Sequence, residues 1–322
     1  MSNISPWDDI KTPKDDLSVR QIKESKHLPL YWGKDSAGHC VFIVELEGDH
    51  AEIFNKHSIS VHGIKTDLRL INTTGNQGLV VVLEKHIDQD LFFSLCETLV
   101  SALSDVSDSA VGLSVALSQI KRWKAFMAGK KGRVLSAEEI RGLFSELKFF
   151  QSMQNEGFSE KEVCDSWQGP EASHQDFIFS NTAVEIKSLS GRERSTVRIS
   201  SEDQLEGVND NLFLKIYRLI DMPDSDKALS LNDLVKQMEG NLQEADAIES
   251  FSEKLAKAGY VELRAYDTPK FLVAEEKPYC VEAAFPRLIR SELPGGILKV
   301  DYEIKLETIE RFKCDNQEIW GK

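Results

Sequence analysis

The fold is decided by the stretch Asp176-Phe177-Ile178-Phe179-Ser180-Asn181-Thr182-Ala183-Val184-Glu185-Ile186-Lys187. Two short runs of apolar and β-branched residues flank a Ser-Asn pair that is typical of a tight turn, and this pattern predicts a β-hairpin. Residues two apart in a strand share a face, so Glu185 and Lys187 point the same way and Ile186 points to the opposite side. The turn brings the strand headed by Asp176 back against this one. The hairpin therefore offers one carboxylate from each of two neighbouring strands, with a lysine on the same face as the second.

These residue types suit metal-assisted phosphoryl chemistry. Mg²⁺ prefers hard oxygen ligands, usually a few carboxylates, with water and phosphate completing the octahedron. A bound ion can polarise a phosphoryl oxygen and lower the pKa of an attacking water. A nearby lysine can orient that water or stabilise the charge that builds on phosphorus.

The tripeptide acid-x-lysine is weak evidence by itself, because it occurs at least six times in the chain. Glu303-Ile304-Lys305 even repeats the letters of Glu185-Ile186-Lys187. Only the earlier copy follows an aspartate at the head of a strand that a tight turn returns to it. The hairpin context therefore selects Glu185 and Lys187.

A helix is predicted upstream of the hairpin. It begins with the capping box of Ser136 and Glu139, in which each side chain satisfies a backbone donor of the other residue. Its apolar stripe comprises Ile140, Leu143, Leu147 and Phe150. Glu146 borders this stripe and needs a partner, because burying a bare charge is costly. A metal ion or Lys187 would serve, and the alternative is a salt bridge with a neighbouring arginine.

The elements after the hairpin complete a recognisable order. Thr196–Ile199 is predicted to be a third strand, a second capping-box pattern from Ser201 to Gln204 indicates a short helix, and residues 213–220 form a further strand. The order is helix, three strands, helix, strand. Gln204 either places its amide near the carboxylates or serves only as the capping-box glutamine.

The whole chain of 322 residues is long enough for two or three compact units. We expect an N-terminal β-rich domain with one helix at 1–108, a central core at 109–222 and a C-terminal α+β domain at 223–322. The sequence has no run of 18 apolar residues that would indicate a membrane span, and the N-terminus lacks an apolar signal core. The five cysteines are widely spaced and indicate reduced thiols, so we expect a cytoplasmic protein.

The formal net charge of −14 disfavours strong binding to nucleic acid, although the distribution of charge matters more than its sum. Residues 121–150 contain eight Lys and Arg side chains against three Glu, a net charge of +5. The candidate nucleic-acid-binding residues in this segment are Lys121, Arg122, Lys124, Lys130, Lys131 and Arg133. The alternative is a solvated helix face followed by a basic loop.

Taken together, the helix glutamate, Asp176 and Glu185-Ile186-Lys187 resemble the PD-(D/E)XK nuclease superfamily. Several stretches are similar to a bacterial family of unknown function known only as PD-(D/E)XK motif proteins. They are GLFSEL (142–147), WQGP (167–170), AVEIK (183–187), TVRISSEDQL (196–205) and FPRL (285–288). The similarity spans most of the chain. One departure is that Gln175 precedes Asp176 where the motif name has proline, a position that varies widely in the superfamily.

The resemblance implies an α/β protein, α+β overall, with a restriction-endonuclease-like αβββαβ core between an N-terminal β-rich region and a C-terminal α+β region. It implies that Asp176 and Glu185 bind Mg²⁺, for which Mn²⁺ can substitute, and that Glu146 is an additional ligand. Lys187 would be catalytic, and Gln204 would occupy an ancillary catalytic position.

The function expected from this resemblance is Mg²⁺-dependent DNA endonuclease activity within a bacterial restriction or anti-phage defence system. Other defence proteins would be partners, and the flanking regions would supply a partner surface or a homodimer contact. One alternative is a non-catalytic adaptor subunit of a defence complex that uses the same fold. Another is an RNA nuclease or a nucleic-acid repair factor, since the residues of the site would be the same.

Overall fold

The computed structural model describes residues 5–23, 25–57, 61, 63–71, 75–84, 89–128, 133–171, 173–191, 195–206 and 210–321. The chain divides into two compact units, residues 1–133 with 261–263 and residues 134–260 with 264–322. Within the described ranges, no helix is both long enough and apolar enough to cross a membrane. All five cysteines lie in described segments and are free thiols.

The first unit is built on an antiparallel sheet. Its strands are β1 Leu17–Gln21, β2 Leu30–Asp35, β3 Cys40–Leu46, β4 Ile64–Leu70 and β5 Gln77–Leu83, and its helices are α1 Ala51–His57, α2 Gln89–Leu103 and α3 Ser109–Ala128. The strand order is β1-β2-β3-β5-β4, with antiparallel neighbours throughout. The N-terminal region is thus β-rich, as expected. The expectation of one helix before residue 108 is wrong, because α1 precedes α2. α1 has only 7 residues, and none of them is buried.

The second unit begins with the predicted helix. Its helices are α4 Ala137–Asn155, α5 Glu160–Ser166, α6 Leu231–Asn241, α7 Ala245–Lys257, α8 Leu306–Ile309 and α9 Asn316–Ile319. Its strands are β6 Phe177–Phe179, β7 Thr182–Ser190, β8 Thr196–Ile199, β9 Asn211–Asp221, β10 Phe271–Cys280 and β11 Tyr302–Lys305. A 3₁₀ turn at Glu202–Leu205 lies between β8 and β9. Two helices, α4 and α5, precede β6, β7 and β8, and the 3₁₀ turn and β9 follow. The mixed α/β class, α+β overall, is confirmed, while the restriction-endonuclease-like core stays a prediction.

The central sheet of this unit has the order β10-β9-β7-β6. β6 and β10 run antiparallel to their neighbours, whereas β7 and β9 are parallel. β8 leaves this sheet and pairs with β11 instead. The capping box of Ser136 and Glu139 is formed, and the apolar stripe of α4 is buried as predicted, with contacts to β7.

The C-terminal region contains one element that differs from its sequence pattern. Residues 260–265 are rich in apolar side chains and predict a strand, but the chain makes a 3₁₀ turn at Arg264–Tyr266. The apolar character here reflects buried side chains, since the Tyr260 hydroxyl bonds to Asn232 and the Tyr266 hydroxyl accepts from the Leu135 N–H. The division into domains at 108 and 222 stays a prediction, while β10, which follows residue 222, lies in one sheet with β7 and β9.

Candidate active site

The predicted hairpin is present and fixes the position of Asp176. Phe177 pairs with Val184, and Phe179 pairs with Thr182 across the turn. Ser180 adopts a φ of 48°, a left-handed conformation that is uncommon for residues other than glycine and that closes the tight turn. Asp176 therefore stands at the open end of the hairpin, one residue before β6.

Asp176 is held through both its side chain and its backbone. Its Oδ2 atom accepts a hydrogen bond of 2.8 Å from the Ile186 N–H, at the point where β6 no longer pairs with β7. Its carbonyl oxygen accepts from the N–H groups of Gln168 and Gly169 at 2.7 and 3.0 Å. The carboxylate consequently continues the hydrogen bonding of the hairpin while its second oxygen, Oδ1, faces away from this bond.

Glu185 and Lys187 point to the same face of β7, as the period of a strand requires. Glu185 is 1% exposed, and its Oε1 atom lies 2.8 Å from the Lys187 ammonium. Its Oε2 atom is buried and has no hydrogen-bond partner among the residues that the structure describes. A buried carboxylate oxygen left in this state is costly to the fold, which makes it a candidate position for a ligand.

The electrostatics of the three groups are coupled. Burial raises the pKa of Glu185 well above its ordinary value, and the Asp176 carboxylate raises it further. Burial also raises the pKa of Asp176, although Lys187 and the Ile186 N–H act in the opposite direction. Burial would lower the pKa of Lys187, but the surrounding carboxylates, Glu185 first, raise it above its ordinary value. The site therefore carries excess negative potential that a cation would neutralise.

Gln204 contacts the catalytic candidate Lys187 directly. Its Oε1 atom accepts from Lys187 Nζ at 3.0 Å and from the Ser200 N–H at 2.9 Å. The capping-box alternative does not hold for this residue, because the Ser201 hydroxyl accepts from the Asp203 N–H and the Gln204 side chain turns towards Lys187. The amide thus fixes the position of the ammonium group.

Gln175 occupies the motif position named for proline, and its side chain is buried. Its Nε2 atom donates to the carbonyl oxygen of Asp203 at 2.8 Å, with longer contacts to those of Gln204 and Glu206 at 3.4 and 3.3 Å. These contacts attach the 202–205 turn to the residue before Asp176, at the open end of the hairpin. Sequence reasoning noted the missing proline but did not find this role, because the partners lie about 30 residues away.

Glu146 meets the site from α4. Its Oε2 atom accepts a hydrogen bond of 2.8 Å from the indole N–H of Trp167. A methyl group placed on Gly169 would lie 2.7 Å from this Oε2 atom and 3.1 Å from Asp176 Oδ1. Glu146 and Asp176 therefore approach each other beside a glycine, and the structure brings together Glu146, Asp176, Glu185, Lys187 and Gln204.

The repeated tripeptide lies in a different environment. Glu303 and Lys305 are exposed on β11, with only Ile304 buried. On β7, by contrast, the Glu185 side chain is almost completely buried and most of the Lys187 side chain is buried. The hairpin context thus distinguishes the two copies.

The basic candidates belong to the first unit. Lys121, Arg122 and Lys124 lie on α3, and Arg133 is exposed near the end of that unit. Lys130 and Lys131 lie outside the described residues. A role of this segment in binding DNA stays a prediction.

The side chains of the predicted metal site offer carboxylate oxygens as ligands. Across the described ranges, no group of three His, Cys, Asp or Glu side chains is arranged to hold a metal ion as the side chains stand. Mg²⁺ does not require three, since one or two carboxylates with water and substrate phosphate are its usual ligands. The buried Asp176 and Glu185 carboxylates, with Glu185 Oε2 available, fit such an ion.

Comparison with known proteins gives one family. Residues 3–307 match the family model described as "Putative PD-(D/E)XK family member (DUF4420)". No curated protein and no solved structure shows significant similarity to the chain. Since the match covers nearly the whole sequence, the chain belongs to this PD-(D/E)XK-related family.

Proposed function

We propose that this protein is a Mg²⁺-dependent endonuclease that hydrolyses DNA phosphodiester bonds, built on a restriction-endonuclease-like core. The observation that carries the proposal is the buried Glu185 Oε2, for which the described part of the chain supplies no partner, beside Asp176 and Lys187. A strongly perturbed carboxylate with a specific charged partner is a feature of functional sites. Membership of the PD-(D/E)XK-related family supports the same reaction class.

Each residue of the site would have a distinct role in the reaction. Asp176 and Glu185 would hold the ion, and Glu146 would add a further oxygen. The chemistry that Mg²⁺ supplies when bound is polarisation of a phosphoryl oxygen and acidification of a water. Lys187, whose pKa is raised by the carboxylates around it, stays protonated and places its positive charge where negative charge builds on the phosphoryl group. Gln204 holds the ammonium group in this position.

The net charge of −14 bears on how the enzyme reaches DNA. An acidic protein has weak intrinsic affinity for the phosphate backbone, and its binding weakens further as salt rises. We propose that the basic segment around α3, a homodimer contact or another protein of a defence system supplies the missing attraction. A cytoplasmic location in bacteria fits this role.

A second candidate function is a non-catalytic adaptor subunit in a defence complex. The same net charge of −14 favours it, because an adaptor has no need to bind phosphate. The adaptor hypothesis predicts that the protein binds neither Mg²⁺ nor Mn²⁺. The buried carboxylates would then be a cost to the fold that no ligand offsets.

Cleavage of supercoiled plasmid tests the proposal. Purified protein is incubated with plasmid in Mg²⁺ or Mn²⁺, beside Lys187→Ala and the matched control Lys305→Ala, which changes the lysine of the repeated tripeptide. We expect the wild type and Lys305→Ala to cut, and Lys187→Ala or EDTA to abolish cutting. An active Lys187→Ala variant would contradict the proposed site. Parallel reactions with RNA decide between a DNA and an RNA substrate.

A further inference from the structure

The segment Trp167–Gly169 makes hydrogen bonds to both Glu146 and Asp176, whose carboxylates approach each other beside Gly169. The Trp167 indole N–H donates to Glu146 Oε2 at 2.8 Å. The backbone N–H groups of Gln168 and Gly169 donate to the carbonyl oxygen of Asp176. One short segment thus holds Glu146 by its side chain and Asp176 by its backbone.

The segment itself is anchored in the interior. Trp167 is fully buried, and its ring lies against Phe150 and Phe251 with centroids 5.9 and 6.0 Å away. Its carbonyl oxygen accepts a hydrogen bond from the ammonium group of Lys254, which is 8% exposed. The indole N–H is therefore aimed at Glu146 by packing and by a buried hydrogen bond.

Gly169 contributes by lacking a side chain. A Cβ atom there would come within 2.7 Å of Glu146 Oε2, which real Cβ contacts do not allow, and within 3.1 Å of Asp176 Oδ1. The Glu146 carboxylate is the end of a flexible side chain, so an added methyl group would push it aside without disturbing the backbone. The glycine leaves the space in which the two carboxylates meet.

We propose that Trp167 and Gly169 are positioning residues that hold Glu146 beside Asp176 in the geometry needed for metal binding. The importance for metal binding rests on the proposed function, whereas the positioning of Glu146 does not. Groups that orient a metal ligand are worth about 10- to 100-fold in metal affinity. The proposal therefore predicts a loss of this size when either residue is changed.

The experiment has two measurements with matched controls. The test variants are Trp167→Phe, which keeps the buried ring and removes only the N–H, and Gly169→Ala. The controls are Trp123→Phe and Gly240→Ala. The buried indole N–H of Trp123 has no hydrogen-bond partner among the described residues. A Cβ added to Gly240 would meet no atom of the described chain within 4 Å beyond its chain neighbours and the nearby backbone of its own helix. Calorimetry measures Mn²⁺ affinity, and ¹⁵N NMR in EDTA follows the five tryptophan indole signals.

We expect the controls to bind Mn²⁺ like the wild type and both test variants to bind about 10- to 100-fold more weakly. The indole signal of Trp167 is the one that is missing from the spectrum of Trp167→Phe. In EDTA, the chemical shift of this signal should change in Glu146→Gln and in Gly169→Ala and stay the same in Gly240→Ala. Wild-type affinity in both test variants would overturn the proposal, as would an indole signal that ignores Glu146→Gln. If the wild type binds no metal while the indole response persists, the proposed function fails and the positioning of Glu146 stands.

Discussion

Comparing Asp176→Asn with Asp176→Ala should separate the structural role of this carboxylate from its chemical one. Asp176 Oδ2 accepts a 2.8 Å hydrogen bond from the Ile186 N–H, on a residue that is 6% exposed. The asparagine amide oxygen can accept the same bond, whereas alanine leaves the buried N–H unsatisfied. Both substitutions remove the charge, so the burial cost of the carboxylate cancels in the comparison.

A buried backbone donor that loses its partner costs about 1–3 kcal/mol. We therefore expect Asp176→Ala to be less stable than Asp176→Asn by about this amount in EDTA. For a unit of this size each kcal/mol shifts the Tm by roughly 2–4 °C. Differential scanning calorimetry of the two variants measures the difference, and the other unit contributes equally to both. Equal Tm values would show that the Asp176 side chain does not complete the hydrogen bonding of the hairpin.

Three further predictions concern Glu185, Gln175 and Lys124. Burial raises the pKa of Glu185 in the folded protein, so the fold loses stability as pH rises above the ordinary value of 4.5. Glu185→Gln should therefore have a higher Tm than the wild type in EDTA at pH 8, and this difference should vanish towards pH 4. Equal Tm values at pH 8 would contradict this prediction. Gln175→Ala removes the hydrogen bond that holds the turn carrying Gln204, so it should lower the free energy of unfolding in urea by about 1–3 kcal/mol and reduce plasmid cleavage. Unchanged stability and activity would argue against that role. Lys124→Glu, tested in the Lys187→Ala background by fluorescence anisotropy, should weaken DNA binding for all sequences and reduce the salt slope by about 1 or more, whereas unchanged affinity would indicate a solvated helix face.

Local patterns were sufficient to predict the hairpin and the start of α4. The strand period places Glu185 and Lys187 on one face because that rule depends only on residues two apart. The Ser136 capping box is equally local, since its donors and acceptors lie three residues apart. These parts of the fold and of the candidate site could be predicted because neighbouring residues determine them.

The contacts made by Trp167 and Gln175 could not be predicted in this way. Trp167 meets Glu146 across 21 residues of sequence, and Gln175 reaches Asp203 across 28. Both side chains have hydrogen-bonding groups that many partners could satisfy, and only tertiary packing selects one. Gln204 shows the same limit, because the local pattern indicated a capping role while the folded chain directs its amide to Lys187.

We propose above all that the Asp176 and Glu185 carboxylates bind a divalent cation. Calorimetric titration of Mn²⁺ into the wild type, Asp176→Asn, and the control Glu303→Gln at the repeated tripeptide tests it most directly. We expect the wild type and Glu303→Gln to bind Mn²⁺ with the same affinity and Asp176→Asn not to bind it. Equal binding by all three proteins, or no binding by the wild type, would show that these carboxylates do not form a metal site.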